Sequence, residues 1–172
     1  VVEGMTAHVD TGATLPRELF DKMLAAKNFQ SGMMAVRQIE FSLFDMLIHS
    51  DFDPKSGLTV MDVLNDVRQE VAVLLPPAWH RFPNSFSHIF GGGYGAGYLS
   101  YKWAEVLSAD AYAAFEEAAK AGGHNTLDVR TGRRYREAIL EAGGSRPAME
   151  SFKAFRGREP GIDALLRHQG MA

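Results

Sequence analysis

Five of the seven residues from Gly91 to Gly97 are glycine. Glycine takes backbone angles that a side chain forbids, so this run is a loop whose backbone can approach a ligand closely. The fold has to be built by the segments on either side, and these carry helical spacing. Downstream, a long helix is predicted over residues 98–120, stopped by Gly122-Gly123. Upstream, Val36, Ile39, Leu43, Phe44, Leu47 and Ile48 recur at the helical period, and Met33, Met34, Phe41 and Met46 add apolar surface on the other sides. That pattern predicts a helix over 29–50, central to a core.

Punctuation residues bound the remaining elements. Thr14 as cap, Pro16 in the first turn and Glu18 at the positive dipole end predict a helix running to about residue 27. Pro54 and Gly57 mark a loop over 51–57. Thr59 caps a helix over 60–75, which Pro76-Pro77 stops. Residues 78–90 have no clean period and contain Pro83, so they read as irregular, with a short extended piece at 86–90. Further helices are expected over 130–142, 146–155 and 161–168, with Gly143-Gly144 between the first two. In Phe152-Lys-Ala-Phe-Arg-Gly-Arg-Glu-Pro160, Gly157 reads as a helix stop and the run as structural. The architecture is all-α with a Gly-rich loop, and no repeat of fixed period is visible.

Composition excludes several function classes. With 46% hydrophobic and 23% charged residues the chain is globular, not disordered. A formal net charge of −3 argues against a nucleic-acid partner. The local basic cluster Arg130, Arg133, Arg134 and Arg136 reads as a solvated helix face. No stretch reaches the roughly 18 apolar residues of a membrane span. The absence of cysteine rules out disulfides and suits a reducing cytosol. The chain has neither a signal-peptide pattern nor an initiator methionine at its start, and reads as a fragment.

Three chemistries can be weighed. For a metal, none of His8, His49, His80, His88, His124 and His168 lies four residues from another, so no His-Glu-x-x-His helix exists and no metal site within the chain is expected. For a nucleotide, Gly91-x-Gly93-x-x-Ala96 meets a loose dinucleotide fingerprint, but Glu116 falls inside a predicted helix and no parallel-sheet pattern surrounds it. For an oxyanion, Tyr98 and Tyr101 are three apart and share a helix face, with Glu105 one turn on, Tyr94 on the glycine run and His88 before it. Neutral phenols donate to a carbonyl oxygen that gains negative charge. The same residues also read as a tyrosine-rich core helix packed by Trp103, Val106 and Leu107, and spacing alone leaves both readings open.

The stretch Phe86-Ser-His-Ile-Phe-Gly-Gly-Gly-Tyr-Gly-Ala-Gly-Tyr-Leu-Ser-Tyr-Lys-Trp-Ala-Glu-Val-Leu-Ser-Ala-Asp-Ala111 closely resembles the substrate-binding stretch of the M3 zinc metallopeptidases, in the thimet oligopeptidase and oligopeptidase A branch. Residues 143–168, from Gly-Gly-Ser-Arg-Pro-Ala-Met-Glu onward, resemble that family's C-terminal end, and Leu19-Phe-Asp-Lys-Met-Leu-Ala-Ala-Lys-Asn28 resembles the same branch. The resemblance implies that residues 1–172 are one C-terminal segment of a helical, zincin-like catalytic domain, with its substrate-binding loop over 86–105. It implies a cytoplasmic metalloendopeptidase that cuts short peptides. The zinc ligands and the general-base glutamate lie upstream of this chain, so the fragment alone is expected to be inactive and to bind no zinc. By the same resemblance Tyr101 donates to the oxyanion of the tetrahedral intermediate, and His88, Gly92, Gly93, Tyr94 and Tyr98 bind the peptide. The expected partners are short peptides and the missing upstream part of the polypeptide, without which the fragment is expected to self-associate. The alternative is a non-catalytic helical interaction module derived from a peptidase.

Overall fold

The computed structural model describes residues 2–122 and 125–171, the side chain of Glu3 excepted. Gly123 and His124, both named above, lie outside the described residues. The chain divides into a unit ending at Ser31 and a second from Gly32 onward.

In the first unit, a short helix α1 (Val2–Met5) precedes a turn and then α2 (Arg17–Ala26). Pro16 occupies the cap position, and its carbonyl takes the N–H groups of Leu19 and Phe20. Thr14 therefore stands too far upstream to cap as expected. Two ion pairs at i,i+4 spacing, Arg17–Asp21 and Glu18–Lys22, lie along the helix.

The second unit is built on α3 (Ser31–Ser50), α4 (Val60–Val71) and α6 (Ser100–Gly122). Thr59 and Asp62 close α4 with a reciprocal capping box, as the Thr59 signal predicts. The helix ends earlier than expected. Leu75 precedes a proline and is barred from helical angles, while Val73, Leu74 and Leu75 are exposed and have no face to hold another turn. Phe41 and Phe44 of α3 pack with Leu64, Phe86 and Ile89 into one core cluster. Phe41, expected off the main stripe, is thus central. Ile39, expected within it, is exposed, because the elements of this chain cover only the Phe41/Phe44 side of α3. The buried pair Glu40–Arg68, 2.9 Å apart, ties α3 to α4.

The expected extended piece at 86–90 is not there. A 3₁₀ turn (Phe82–Ser85) and a single-turn helix α5 (Ser87–Phe90) run into the glycine loop instead. Phe82 stacks on Phe41 and Phe86 packs against it at a tilt, which winds the segment tightly onto α3.

Beyond α6 lie α7 (Val129–Tyr135), continued by one wide turn at Arg136–Leu140, then α8 (Ala148–Arg156) and α9 (Asp163–His168). Gly157, at φ +75°, ends α8 in the left-handed conformation predicted for it. Phe152 and Phe155 pack against Ala111 and Ala114 of α6, and Ala164 of α9 packs against Ala109 and Ala113. The arginine cluster of α7 lies exposed. The described residues are helical, with no strand, and no described helix is long and apolar enough to cross a membrane.

Acidic residues of α6 hold the last two helices. Asp110 accepts both guanidinium nitrogens of Arg158 at 2.6 Å, Arg156 at 3.0 Å and the Gly161 N–H at 2.7 Å. Glu117 takes Arg156 in a two-pronged pair, and Glu116 takes Arg167 and His168. Burial by itself would push the Asp110 carboxyl up, but the Arg158 hydrogen bond, the Gly161 N–H and the two arginine charges outweigh it and hold it below its ordinary value of 3.8. Hydrogen bonds from Arg167 and Arg156 likewise lower Glu116 and Glu117 below 4.5. The folded state therefore binds fewer protons than the unfolded chain on the acid side. The stability these carboxylates give is complete above the ordinary values and drains away as pH falls through the lower folded ones. Urea midpoints measured in steps from pH 6 to pH 3 should accordingly hold level at first and drop steeply below about pH 4.

Candidate active site

The glycine loop starts by folding back on α5. The N–H groups of Gly91 and Gly92 both point to the Ser87 carbonyl at 2.7 Å, and the Tyr94 N–H reaches the His88 carbonyl at 3.1 Å. A Cβ on Gly92 would lie 2.8 Å from the His88 oxygen, so only glycine fits there. Gly93 turns the chain at φ +79°, a left-handed conformation that suits glycine. The two glycines singled out in the sequence thus make the turn that returns Tyr94 over His88.

The loop then crosses α3. Asp45, in the last third of that helix and 0% exposed, accepts the Ala96 N–H on one carboxylate oxygen and the Tyr98 N–H on the other, both at 2.9 Å. Ala96 adopts φ +57°, unusual for a residue with a Cβ. The Nδ1 of His49, one turn along α3, lies 2.9 Å from Asp45 Oδ1 and 2.8 Å from the Asp45 carbonyl. Both neighbours are acceptors, so Nδ1 carries the proton. The other ring nitrogen faces Gly95, where a Cβ would come within 3.0 Å of it.

Tyr98 lies before α6, not on it as expected, since the helix begins at Ser100. The Tyr101 N–H still bonds the Tyr98 carbonyl at 3.2 Å, and that single turn brings the two rings edge to face at 5.3 Å. Tyr98 packs on Phe41 and Phe86 and donates its hydroxyl to Gln38 at 2.9 Å. Tyr94 stacks on Tyr101 at 5.1 Å. The His88 ring lies 6.2 to 6.4 Å from all three phenol rings. His88, Tyr94, Tyr98 and Tyr101 are therefore one cluster.

Of the two readings that spacing left open, the packed-core one suits Tyr98 alone. Tyr94 and Tyr101 are 38% and 39% exposed, and Trp103 is more exposed still. Glu105 is drawn away, 2.6 Å from Lys102 and 3.3 Å from Gln169. Glu116, weighed above as a nucleotide-binding acid, holds Arg167 and His168.

The hydrogen bond to Tyr94 holds the Tyr101 phenol above the ordinary tyrosine value of 10.0, with smaller contributions from burial and the neighbouring phenols. Burial raises Tyr98 as well, against the pull of the Arg37 charge. Both are neutral donors at pH 7. As neutral phenols, both can donate to an incoming carbonyl oxygen.

Sequence reasoning missed Asp45 and His49. The available signal was an aspartate inside an apolar helical run with a histidine four residues on: a charge placed there has to be buried and hydrogen-bonded. No three His, Cys, Asp or Glu side chains among the described residues could together hold a metal ion. The described residues therefore do not form a zinc site by themselves.

Peptidase family M3 matches this chain over residues 1–171. Oligopeptidase A of Salmonella typhimurium is 49% identical over 167 residues, and that of Escherichia coli 48%, each alignment covering 97% of this chain. Saccharolysin of Saccharomyces cerevisiae is 32% identical over 168 residues, again across 97% of the chain. The chain spans only about a quarter of these relatives, 24% of each bacterial protein and 23% of the yeast one.

Proposed function

We propose, since this chain belongs to peptidase family M3, that it is the substrate-binding and oxyanion-stabilising portion of a zinc-dependent oligopeptidase that hydrolyses internal bonds of short peptides in the cytoplasm. The reading is carried by one observation: a half-exposed phenol, held neutral, sits on the first turn of a helix beside two further phenols and an imidazole. The glycine turn lets Tyr94 leave its stack on Tyr101 when a peptide enters. The freed Tyr101 hydroxyl then donates to the scissile carbonyl oxygen, more strongly as that oxygen gains charge. His88, Tyr94 and Tyr98 line the peptide beside it, and Gly92 and Gly93 give the turn its freedom.

Zinc, when held by residues outside this chain, supplies the polarisation of the carbonyl and the activated water. The exposed apolar side chains Leu74, Trp79, Leu99 and Trp103 support a further part of the same polypeptide as their cover, and self-association of the chain in its absence.

The purified 172-residue chain is accordingly expected to bind no zinc tightly and to leave a quenched fluorescent peptide uncut, whereas the full-length protein cleaves it. Zinc analysis and the peptide assay on both preparations decide this. Turnover by the chain alone, above contaminating protease, rejects the proposed division between metal and phenols.

A further inference from the structure

We propose that Asp45 is a positioning residue of the tyrosine cluster: from the last third of α3 its buried carboxylate clasps the root of the glycine loop and so sets the angle at which Tyr101 is presented. This rests on the reading of Tyr101 as the hydroxyl donor.

The clasp has a defined chemistry. Asp45 has no exposed surface, and its carboxylate receives two main-chain N–H groups, with the His49 Nδ1, which bonds the Asp45 main-chain carbonyl, lying 2.9 Å from one carboxylate oxygen. A carboxylate is acceptor-only and can serve the Ala96 and Tyr98 donors on separate oxygens. An apolar side chain would fill the same space beside Phe41 and Phe44, so the charge is not needed for packing. What it secures is a backbone path that would otherwise relax. Ala96 stands at φ +57°, and a side-chain-bearing residue stays in that region only where its surroundings over-determine it.

The path then leads rigidly to the hydroxyl. Tyr98, held at its N–H by Asp45 and at its phenol by Gln38, is one hydrogen-bonded turn from Tyr101. Gly95 lies so close over His49 that a Cβ would sit 3.0 Å from the ring nitrogen and 3.2 Å from the Ile89 carbonyl oxygen. The loop root therefore has no slack towards α3, and any shift at residues 95–98 is passed on to Tyr101. A displacement of about 1 Å of a catalytic group can cost about 10²-fold in rate.

Two variants of the full-length enzyme disturb the clasp differently. Asp45→Asn turns one acceptor oxygen into an NH₂ group facing a loop N–H. Gly95→Ala leaves Asp45 intact and pushes the loop off His49. Each should lower kcat on a quenched fluorescent peptide by about 10²-fold while KM stays within about threefold. Each should cost less than about threefold more when placed in a Tyr101→Phe background, because the group it positions is already gone. Far-UV circular dichroism establishes folding, and if Asp45→Asn does not fold, Gly95→Ala carries the test. The clasp is overturned if the folded variant keeps kcat within about twofold of the parent, or loses as much in the Tyr101→Phe background as in the parent. A Tyr101→Phe enzyme with full kcat overturns both the clasp and the donor reading, whereas a parent-like Asp45→Asn beside an impaired Tyr101→Phe overturns the clasp alone.

Discussion

Tyr101→Phe in the full-length protein should lower kcat by about 10²–10³-fold, a loss of about 2.7–4 kcal/mol of transition-state stabilisation. The substitution removes one oxygen and keeps the ring, so the stack on Tyr94 at 5.1 Å and the edge contact with Tyr98 at 5.3 Å survive. Peptide binding in the ground state should change little. kcat and kcat/KM then fall together, the pattern of an interaction made only in the transition state. The Tyr101 phenol lies above its ordinary value of 10.0, so the parent enzyme keeps its donor throughout the neutral range, and the variant's deficit should be the same at pH 6 and pH 8. Thermal melting should stay within about 0.5 kcal/mol of the parent, because the side chain is partly exposed. Steady-state kinetics with a fluorogenic peptide reads the result. An unchanged kcat would favour the non-catalytic interaction module.

Asp110→Ala should destabilise the fold by about 3–5 kcal/mol, the usual loss when one member of a buried ion pair is removed. Asp110 gathers Arg156, Arg158 and the Gly161 N–H, groups from the end of α8 and the connection to α9. The Arg156 side chain is only 6% exposed, and without Asp110 it keeps Glu117 as its one strong partner. The Gly161 N–H is left without its acceptor. Against a total stability of about 5–15 kcal/mol, that loss is large. Arg158→Ala should cost about 1 kcal/mol or less, because that side chain is 48% exposed and water screens the pair. Urea unfolding of the three proteins separates the two cases. Equal midpoints for Asp110→Ala and Arg158→Ala would show that the network contributes little.

The helices were legible where a local residue marks an end. Thr59 and Gly157 each act on their own neighbours, and the chain obeys them, whereas the helix expected to run up to Pro76 ends at Val71. Segment 86–90 misled because Phe86, Ile89 and Phe90 offer the apolar content of a strand, whereas their conformation follows from packing against Phe41, far off in sequence. Spacing singled out the phenols and imidazole but left a packed-core reading open, and the resemblance of residues 86–111 to a known family was what favoured a site. The part beneath them was not legible. Asp45 meets Ala96 and Tyr98 across 51 and 53 residues of sequence, through their main-chain N–H groups, which carry no trace of residue type. The exposed face of α3 at Ile39 escaped for a related reason: an apolar side chain reads the same whether its cover lies inside this chain or elsewhere.

The two ends of the glycine run are unequal. At one, Gly93 turns the chain at φ +79° with open space around it; at the other, Ala96 and Tyr98 are bolted to α3. Movement of such a segment is a swing about a fixed doorpost and not a general loosening. Tyr94 rides on the door, while Tyr98 and Tyr101 stand in the frame. The sensing and reacting tasks are thereby divided: one phenol can yield to an arriving chain while the other two keep their aim.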